Sequence, residues 1–124
     1  MLPIMEVFEH HISKGIHVIR QTGDSLDLSL EIPRTFPYLE GHFPNQPILP
    51  ASIALELSAW LATKFFLEGE AITILRVSRS KFNRNISPME QLQINLTVSK
   101  SGTFRSRWLA ADGTVAIDLR FTLG

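Results

Sequence analysis

From Ala51 to Leu67 the chain reads as a helix that is apolar on almost every side. Ile53, Leu55, Leu57, Trp60, Leu61, Phe65 and Phe66 spread round most of the helical wheel. A surface helix keeps a polar face, so a helix of this kind is buried and the rest of the chain has to wrap it. Pro50 stands where a helix start tolerates proline, and Ser52 offers a hydroxyl to the first turn. Ser52, Glu56, Ala59 and Thr63 recur at helical spacing, which reads as a solvated stripe where Glu56 is given no chemical role. The run falls short of the ~20 apolar residues of a membrane span, and Glu56 and Lys64 interrupt it.

The material for wrapping is β-structure. Ile16–Gln21 reads as a strand and Gly23-Asp24 as a turn. Leu26–Ile32 alternates apolar and polar residues, the period of a half-buried strand. After Gly69 come strands at Ala71–Phe82, Gln91–Lys100, Thr103–Ala111 and Thr114–Leu123. Asn85–Met89 breaks the first pair, and the dipeptides Ser101-Gly102 and Asp112-Gly113 supply tight turns. Residues 4–12 form at most a short helical turn. The expected fold class is α+β: one antiparallel sheet of about six strands curved round one long helix, with the last four strands in series. With 124 residues the chain makes one core, so 1–124 is a single domain.

Charge and cysteine content exclude several classes of function. Twelve basic and twelve acidic residues give a net charge of zero, so neither nucleic acid nor an anionic membrane is an expected partner. The absence of cysteine removes disulfides, thiolate metal sites and a cysteine nucleophile. The start, Met1–Glu6, lacks the basic and apolar regions of a signal peptide, so a cytoplasmic protein is expected. Glu6 and His10 share a helical spacing but are only two potential ligands near a terminus, so no metal site is expected.

Between the β-hairpin and the helix, five prolines (Pro33, Pro37, Pro44, Pro47 and Pro50) fall within eighteen residues. Such a stretch is neither helix nor central strand, and a long ordered loop in a small domain is usually functional. Its sequence, Leu39-Glu-Gly-His-Phe-Pro-Asn-Gln-Pro-Ile-Leu-Pro-Ala-Ser-Ile-Ala-Leu-Glu56, resembles the β-hydroxyacyl-acyl-carrier-protein dehydratases of the hot-dog fold. Their signature is a Gly-His-Phe-Pro loop, a Pro-x-x-Pro step, and an acidic residue fourteen positions after the histidine. His42 and Glu56 keep that spacing. A second block, Lys81-Phe-Asn-Arg-Asn-Ile-Ser-Pro-Met-Glu-Gln-Leu92, is similar to the family's Lys-Phe-x-x-x-Ile-x-Pro-Gly-Asp-x-Leu. Two blocks in order are far more specific than one. The upstream His-Arg-x-Pro-Phe-Leu stretch of the housekeeping enzymes is missing from residues 1–22. In this the chain resembles the compact dehydratases of specialised pathways such as aryl-polyene synthesis.

The residues suit such chemistry in their own right. Removing water from a 3-hydroxyacyl thioester needs a base for the α-proton, an acid for the departing hydroxyl, and donors for charge developing on the thioester oxygen. His42 can serve as base near neutral pH. Glu56, on an apolar helix, is expected to be desolvated and so to hold its proton as acid. The helix start after Pro50 presents free N–H groups, with that of Ala51 as candidate oxyanion donor. The family has glycine at Ala51. A positive φ there would strain alanine, whereas an ordinary helix start would accept it.

The resemblance implies further expectations. His42 of one subunit meets Glu56 of the other across a homodimer, which can assemble further. The acyl chain, carried on the phosphopantetheine of an acyl carrier protein, lies against Phe43, Leu49, Ala51, Ser52, Trp60 and Phe82. No cofactor is implied. Arg76, Arg79, Lys81 and Arg84 form a basic cluster that reads either as a carrier-docking surface or as solvated strand charges. A hot-dog thioesterase and a catalytically weak acyl-binding subunit are the rival readings, since fold alone does not decide activity.

Overall fold

The computed structural model describes residues 4–39, 47–68 and 73–124. In chain order these form α1 (Ile4–His11), a 3-10 turn (Ser13–Gly15), β1 (Ile16–Gln21), β2 (Ser25–Leu30), α2 (Ala51–Phe66), β3 (Ile74–Phe82), β4 (Leu92–Val98), β5 (Thr103–Leu109) and β6 (Val115–Leu123). The strands make one antiparallel sheet in the order β1-β2-β4-β5-β6-β3. The chain is α+β with the hot-dog arrangement of one long helix against a six-stranded antiparallel sheet.

The last four strands are not in series as expected. β3 leaves the far end of α2 and pairs with β6 at one edge, while β4 pairs with β2 in the interior. The helix spans the sheet, so the strand that follows it reaches the opposite edge and the chain must cross back before β4. Sequence turn signals report neighbours in the chain, and they report the two hairpins correctly. Gly102 and Gly113 close β4–β5 and β5–β6 at φ 85° and 86°. Their N–H groups bond Ser99 O and Ala110 O at 3.0 and 2.9 Å. A left-handed glycine after a tight turn is the common short hairpin solution, and alanine there would be strained.

Alternation along the strands builds the inner face. Leu26, Leu28 and Leu30, then Leu92, Ile94 and Leu96, then Phe104 and Trp108, then Ile117, Leu119 and Phe121 are all buried. Ala54, Ser58 and Ala62 present small side chains at successive turns of α2, and all three are buried. One polar cluster interrupts this core. The Trp108 indole N–H donates to Ser58 Oγ (3.0 Å) and Ser106 Oγ (3.1 Å), and the two hydroxyls bond each other at 2.9 Å. Both serines and Trp108 have no exposed surface.

The sheet covers one side of α2, and α1 covers part of the other. Phe8 lies 5.7 Å from the Trp60 ring and 6.1 Å from Phe36, and Lys64 pairs with Glu9 at 2.9 Å. This cover changes the expected polar stripe. Ala59 and Thr63 are buried, with the Thr63 hydroxyl turned back onto Ala59 O at 2.9 Å. A threonine that satisfies itself within its own helix needs no solvent, which composition alone does not reveal. Among the described residues no helix is long and apolar enough to cross a membrane.

Candidate active site

The site begins where α2 begins. Pro50 holds the extended N-cap conformation (φ −62°, ψ 145°), and its carbonyl accepts from Ile53 N and Ala54 N at 3.1 and 3.0 Å. The first helical N–H groups have no partner within a helix by construction. Those of Ala51 and Ser52 have none among the described residues. Ser52 makes no side-chain cap, because it sits inside the first turn and Pro50 occupies the capping position. Ala51 lies in the helix with negative φ, so alanine carries no backbone strain where the family has glycine. Ala51 and Ser52 are exposed.

Glu56 stands one and a half turns further on and is half-buried, as are Ile53 and Leu55. In the single chain it is not sealed in an apolar setting as expected, because α1 packs against Trp60 and Lys64 in the later turns and leaves the first turns less covered. His42 and Phe43, with Gly41 and Pro44, lie outside the described residues. Trp60, expected against the acyl chain, is only 5% exposed and is packed under Phe8. Its ring belongs to the core of the single chain. An apolar period cannot tell a core ring from a ligand-facing one.

The structure brings the two motif blocks into contact. Leu49, 5% exposed, donates its N–H to Ile86 O at 2.9 Å, which ties the chain entering α2 to the second block. Met89 in turn donates to Ile32 O at 2.8 Å, and Asn83 bonds Ala116 O through its N–H and Val115 O through its side chain, both at 2.8 Å. The second block is thus a brace between the helix start, the end of β2 and β6. Met89 occupies the family's glycine position with φ 64°, a left-handed conformation. Phe82, 38% exposed, ends β3 opposite Ile117.

The expected basic cluster is divided. Arg79 Nε reaches Asp118 Oδ2 at 3.1 Å, and Arg84 pairs with Glu90 and also donates to Asn85 O at 2.8 Å. Arg76 and Lys81 are exposed on β3. The Arg84 hydrogen bond holds the Glu90 carboxyl below its usual range and, reciprocally, raises the Arg84 guanidinium. Arg105 does the same for Asp118, through bonds of 3.2 and 3.0 Å, with Arg79 adding to it. Arg105, Arg107 and Arg120 extend the basic region, and the linear sequence did not reveal them because they lie on other strands.

An open groove of about 470 Å³ lies beside the Met89 turn, lined by His10, His11, Lys14, Gly15, Glu31, Pro33, Thr35 and Met89. Two of its lining residues, His10 and His11, have ring centroids 4.7 Å apart. Among the described residues no cluster of three or more histidine or acidic side chains could hold a metal.

Comparison with known proteins places this geometry. The family model described as ApeI dehydratase matches residues 18–117, which include both motif blocks. The 3-hydroxyacyl-[acyl-carrier-protein] dehydratase FabZ of Gluconacetobacter diazotrophicus is 28% identical over 113 residues, covering 82% of this chain and 69% of that protein. The FabZ of Cupriavidus metallidurans is 32% identical over 92 residues, covering 66% and 61%. The match to the FabZ of Gluconobacter oxydans spans only 43% of that relative's length. Among solved structures, the dehydratase heterocomplex ApeI:P from Xenorhabdus doucetiae superposes with a TM-score of 0.74 at 18% identity, covering 86% of this chain and 93% of that one. A hypothetical thioesterase from Streptococcus pneumoniae TIGR4 with coenzyme A superposes at 0.69 with 9% identity, covering 96% and 94%. At such identities the structural likenesses speak for the fold, whereas the family match speaks for descent. The chain belongs to the ApeI-like dehydratases, the compact aryl-polyene-type branch of the hot-dog dehydratase family.

Proposed function

We propose that the protein removes water from 3-hydroxyacyl thioesters presented on the phosphopantetheine arm of an acyl carrier protein, giving the trans-2-enoyl thioester. His42 takes the α-proton, and Glu56 gives a proton to the departing β-hydroxyl. The Ala51 N–H, at the positive end of α2, donates to the thioester oxygen as charge develops there. These proton transfers and this donor are sufficient for the elimination, which requires neither a redox group nor a metal. The observation that carries the reading is the start of α2. A proline-capped helix end with free N–H groups stands one and a half turns before a half-buried glutamate, in a chain of a dehydratase family.

The active unit in this reading is a homodimer, with His42 and Glu56 meeting in trans. Two features support it. The first turns of α2 are less covered than the later ones. In addition, β3 is an edge strand of nine residues, eight of them exposed, with Leu75 and Val77 showing 70% and 38% of their surface. A long exposed edge with apolar side chains is a template for pairing with another strand.

The test uses a 3-hydroxyacyl thioester with wild-type protein and His42→Ala, with mass spectrometry following loss of water separately from loss of thiol. Water loss that disappears in the variant is expected. Thiol release without water loss would refute the dehydratase reading in favour of a thioesterase. Inertness toward both the small thioester and the carrier-linked one would leave an acyl-binding subunit.

A further inference from the structure

The second motif block carries the chain from β3 to β4, and one peptide unit in it is held at both ends. The carbonyl of the Ile86–Ser87 peptide accepts from Leu49 N at 2.9 Å, and its N–H donates to Glu90 Oε1 at 3.2 Å. Glu90 is in turn gripped by Arg84, whose Nη1 donates to Oε1 at 3.2 Å and whose Nη2 meets Oε2. The same Nη1 donates to Asn85 O at 2.8 Å, so the peptide before Ile86 is fixed as well. Pro88 and the φ of 64° at Met89 are the marks of a type II turn over 87–90. A left-handed conformation strains a residue with a Cβ, and it persists only where the surrounding bonds over-determine it. The Glu90 carboxylate on one side and the Met89 N–H to Ile32 O on the other supply those bonds.

We propose that Arg84 and Glu90 are positioning residues for the elimination: they set the Ile86–Ser87 peptide, which through Leu49 sets the first turn of α2. The inference rests on the dehydratase reading. Leu49 and Ile86 are both buried, so the hydrogen bond between them is shielded from water. Pro50, the one residue between Leu49 and Ala51, cannot rotate about φ, so less of a displacement at Leu49 is absorbed before it reaches the Ala51 N–H. The ion pair itself lies toward the surface, with the Arg84 and Glu90 side chains 39% and 20% exposed. A pair in such a setting contributes little to stability, so its effect lies in the geometry of the peptide it holds. That geometry matters because a misplacement of about 1 Å in a reacting site can cost about 100-fold in rate. Arg84 serves the site in this way rather than a docking surface, since its guanidinium is already engaged by Glu90 and Asn85.

The test compares the full wild-type chain with Glu90→Gln, Arg84→Lys and the conservative Glu90→Asp. A control, Glu9→Gln, removes the ion pair to Lys64 further along α2. Dehydration of a small 3-hydroxyacyl thioester, which needs no carrier, is measured beside hydrogen exchange of the backbone amides by NMR. Glu90→Gln should lower kcat roughly tenfold and leave KM within about twofold, because the Ala51 N–H acts chiefly on the transition state. Arg84→Lys, which keeps the charge and loses the fork, should act in the same direction to a lesser degree. In Glu90→Gln the Leu49 amide should exchange roughly tenfold faster, while amides of β4 and β5 keep their rates and show that the variant is folded. Glu90→Asp should stay close to wild type in both readouts, and Glu9→Gln should change neither. Three results would overturn the proposal: an unchanged Leu49 exchange rate, an equal effect of Glu9→Gln, or losses seen only with a carrier-linked substrate. A wild type inert toward thioesters would instead overturn the dehydratase reading, and this proposal with it.

Discussion

The buried cluster beneath α2 makes a quantitative prediction about Trp108. Its indole N–H has two acceptors, Ser58 Oγ at 3.0 Å and Ser106 Oγ at 3.1 Å, in a site without solvent. Trp108→Phe in the wild-type chain removes both bonds and shrinks the ring, while the two hydroxyls keep each other at 2.9 Å. The lost bonds cost about 1 kcal/mol net, in addition to the space left by the smaller ring. In a chain already carrying Ser58→Ala and Ser106→Ala, the indole N–H is a buried donor without an acceptor, a penalty of about 1–3 kcal/mol. Trp108→Phe then removes that penalty. The packing loss is shared by both backgrounds and cancels in the comparison. The substitution should therefore be about 2–4 kcal/mol less destabilising in the double-alanine background. Urea unfolding followed by circular dichroism, at one protein concentration for all four chains, measures the difference. Equal costs in the two backgrounds, within about 0.5 kcal/mol, would refute the reasoning.

Three further outcomes follow from the site and the surface. If His42 and Glu56 act in trans, random mixing of inactive His42→Ala and Glu56→Gln chains should restore about a quarter of wild-type turnover, since half the dimers carry one intact site of two. No recovery in dimers verified as mixed by mass spectrometry would place the pair in cis. Ala51→Gly should leave kcat within about twofold and cost up to ~1 kcal/mol of stability, because Ala51 already has helical φ. A large gain in kcat would show that the methyl group obstructs the substrate. Asp118 has its carboxyl held below the usual value of 3.8 by Arg105, so its contribution is complete above that value and is lost as pH falls through the lower folded-state one. The Tm of Asp118→Asn should lie below wild type at neutral pH, with the gap closing in acid. A gap independent of pH would count against the ion pair as its cause.

Features written into neighbouring residues were the ones legible in the sequence. β1 falls at Ile16–Gln21 as its composition indicates, α2 starts at Ala51 because Pro50 enforces it, and Gly102 and Gly113 mark both hairpins. Glu56 was found because its distance from His42 is a local count. What escaped depends on partners far away in the chain. The strand containing Arg76 and Lys81 joins the far edge only because β6 is there to receive it. Arg105, Arg107 and Arg120 are unremarkable until the register sets them beside that strand. Trp60 differs from its expected setting for the same reason, since α1 covers it with Phe8, about fifty residues earlier.

The position of β3 bears on how the molecule assembles in time. β4, β5 and β6 are joined by two tight hairpins and form by local contacts. The partners of β3, by contrast, lie roughly 35–50 positions away along the chain, from Phe82 with Ile117 to Ile74 with Leu123. Loop-closure entropy makes such pairing the late and costly step. The last strand to dock then also carries one of the sheet's two exposed edges, β1 carrying the other. Its amide protons should exchange with solvent faster than those of β4, β5 and β6 in the isolated chain, and a neighbour bound along that edge would slow them more than those of β1.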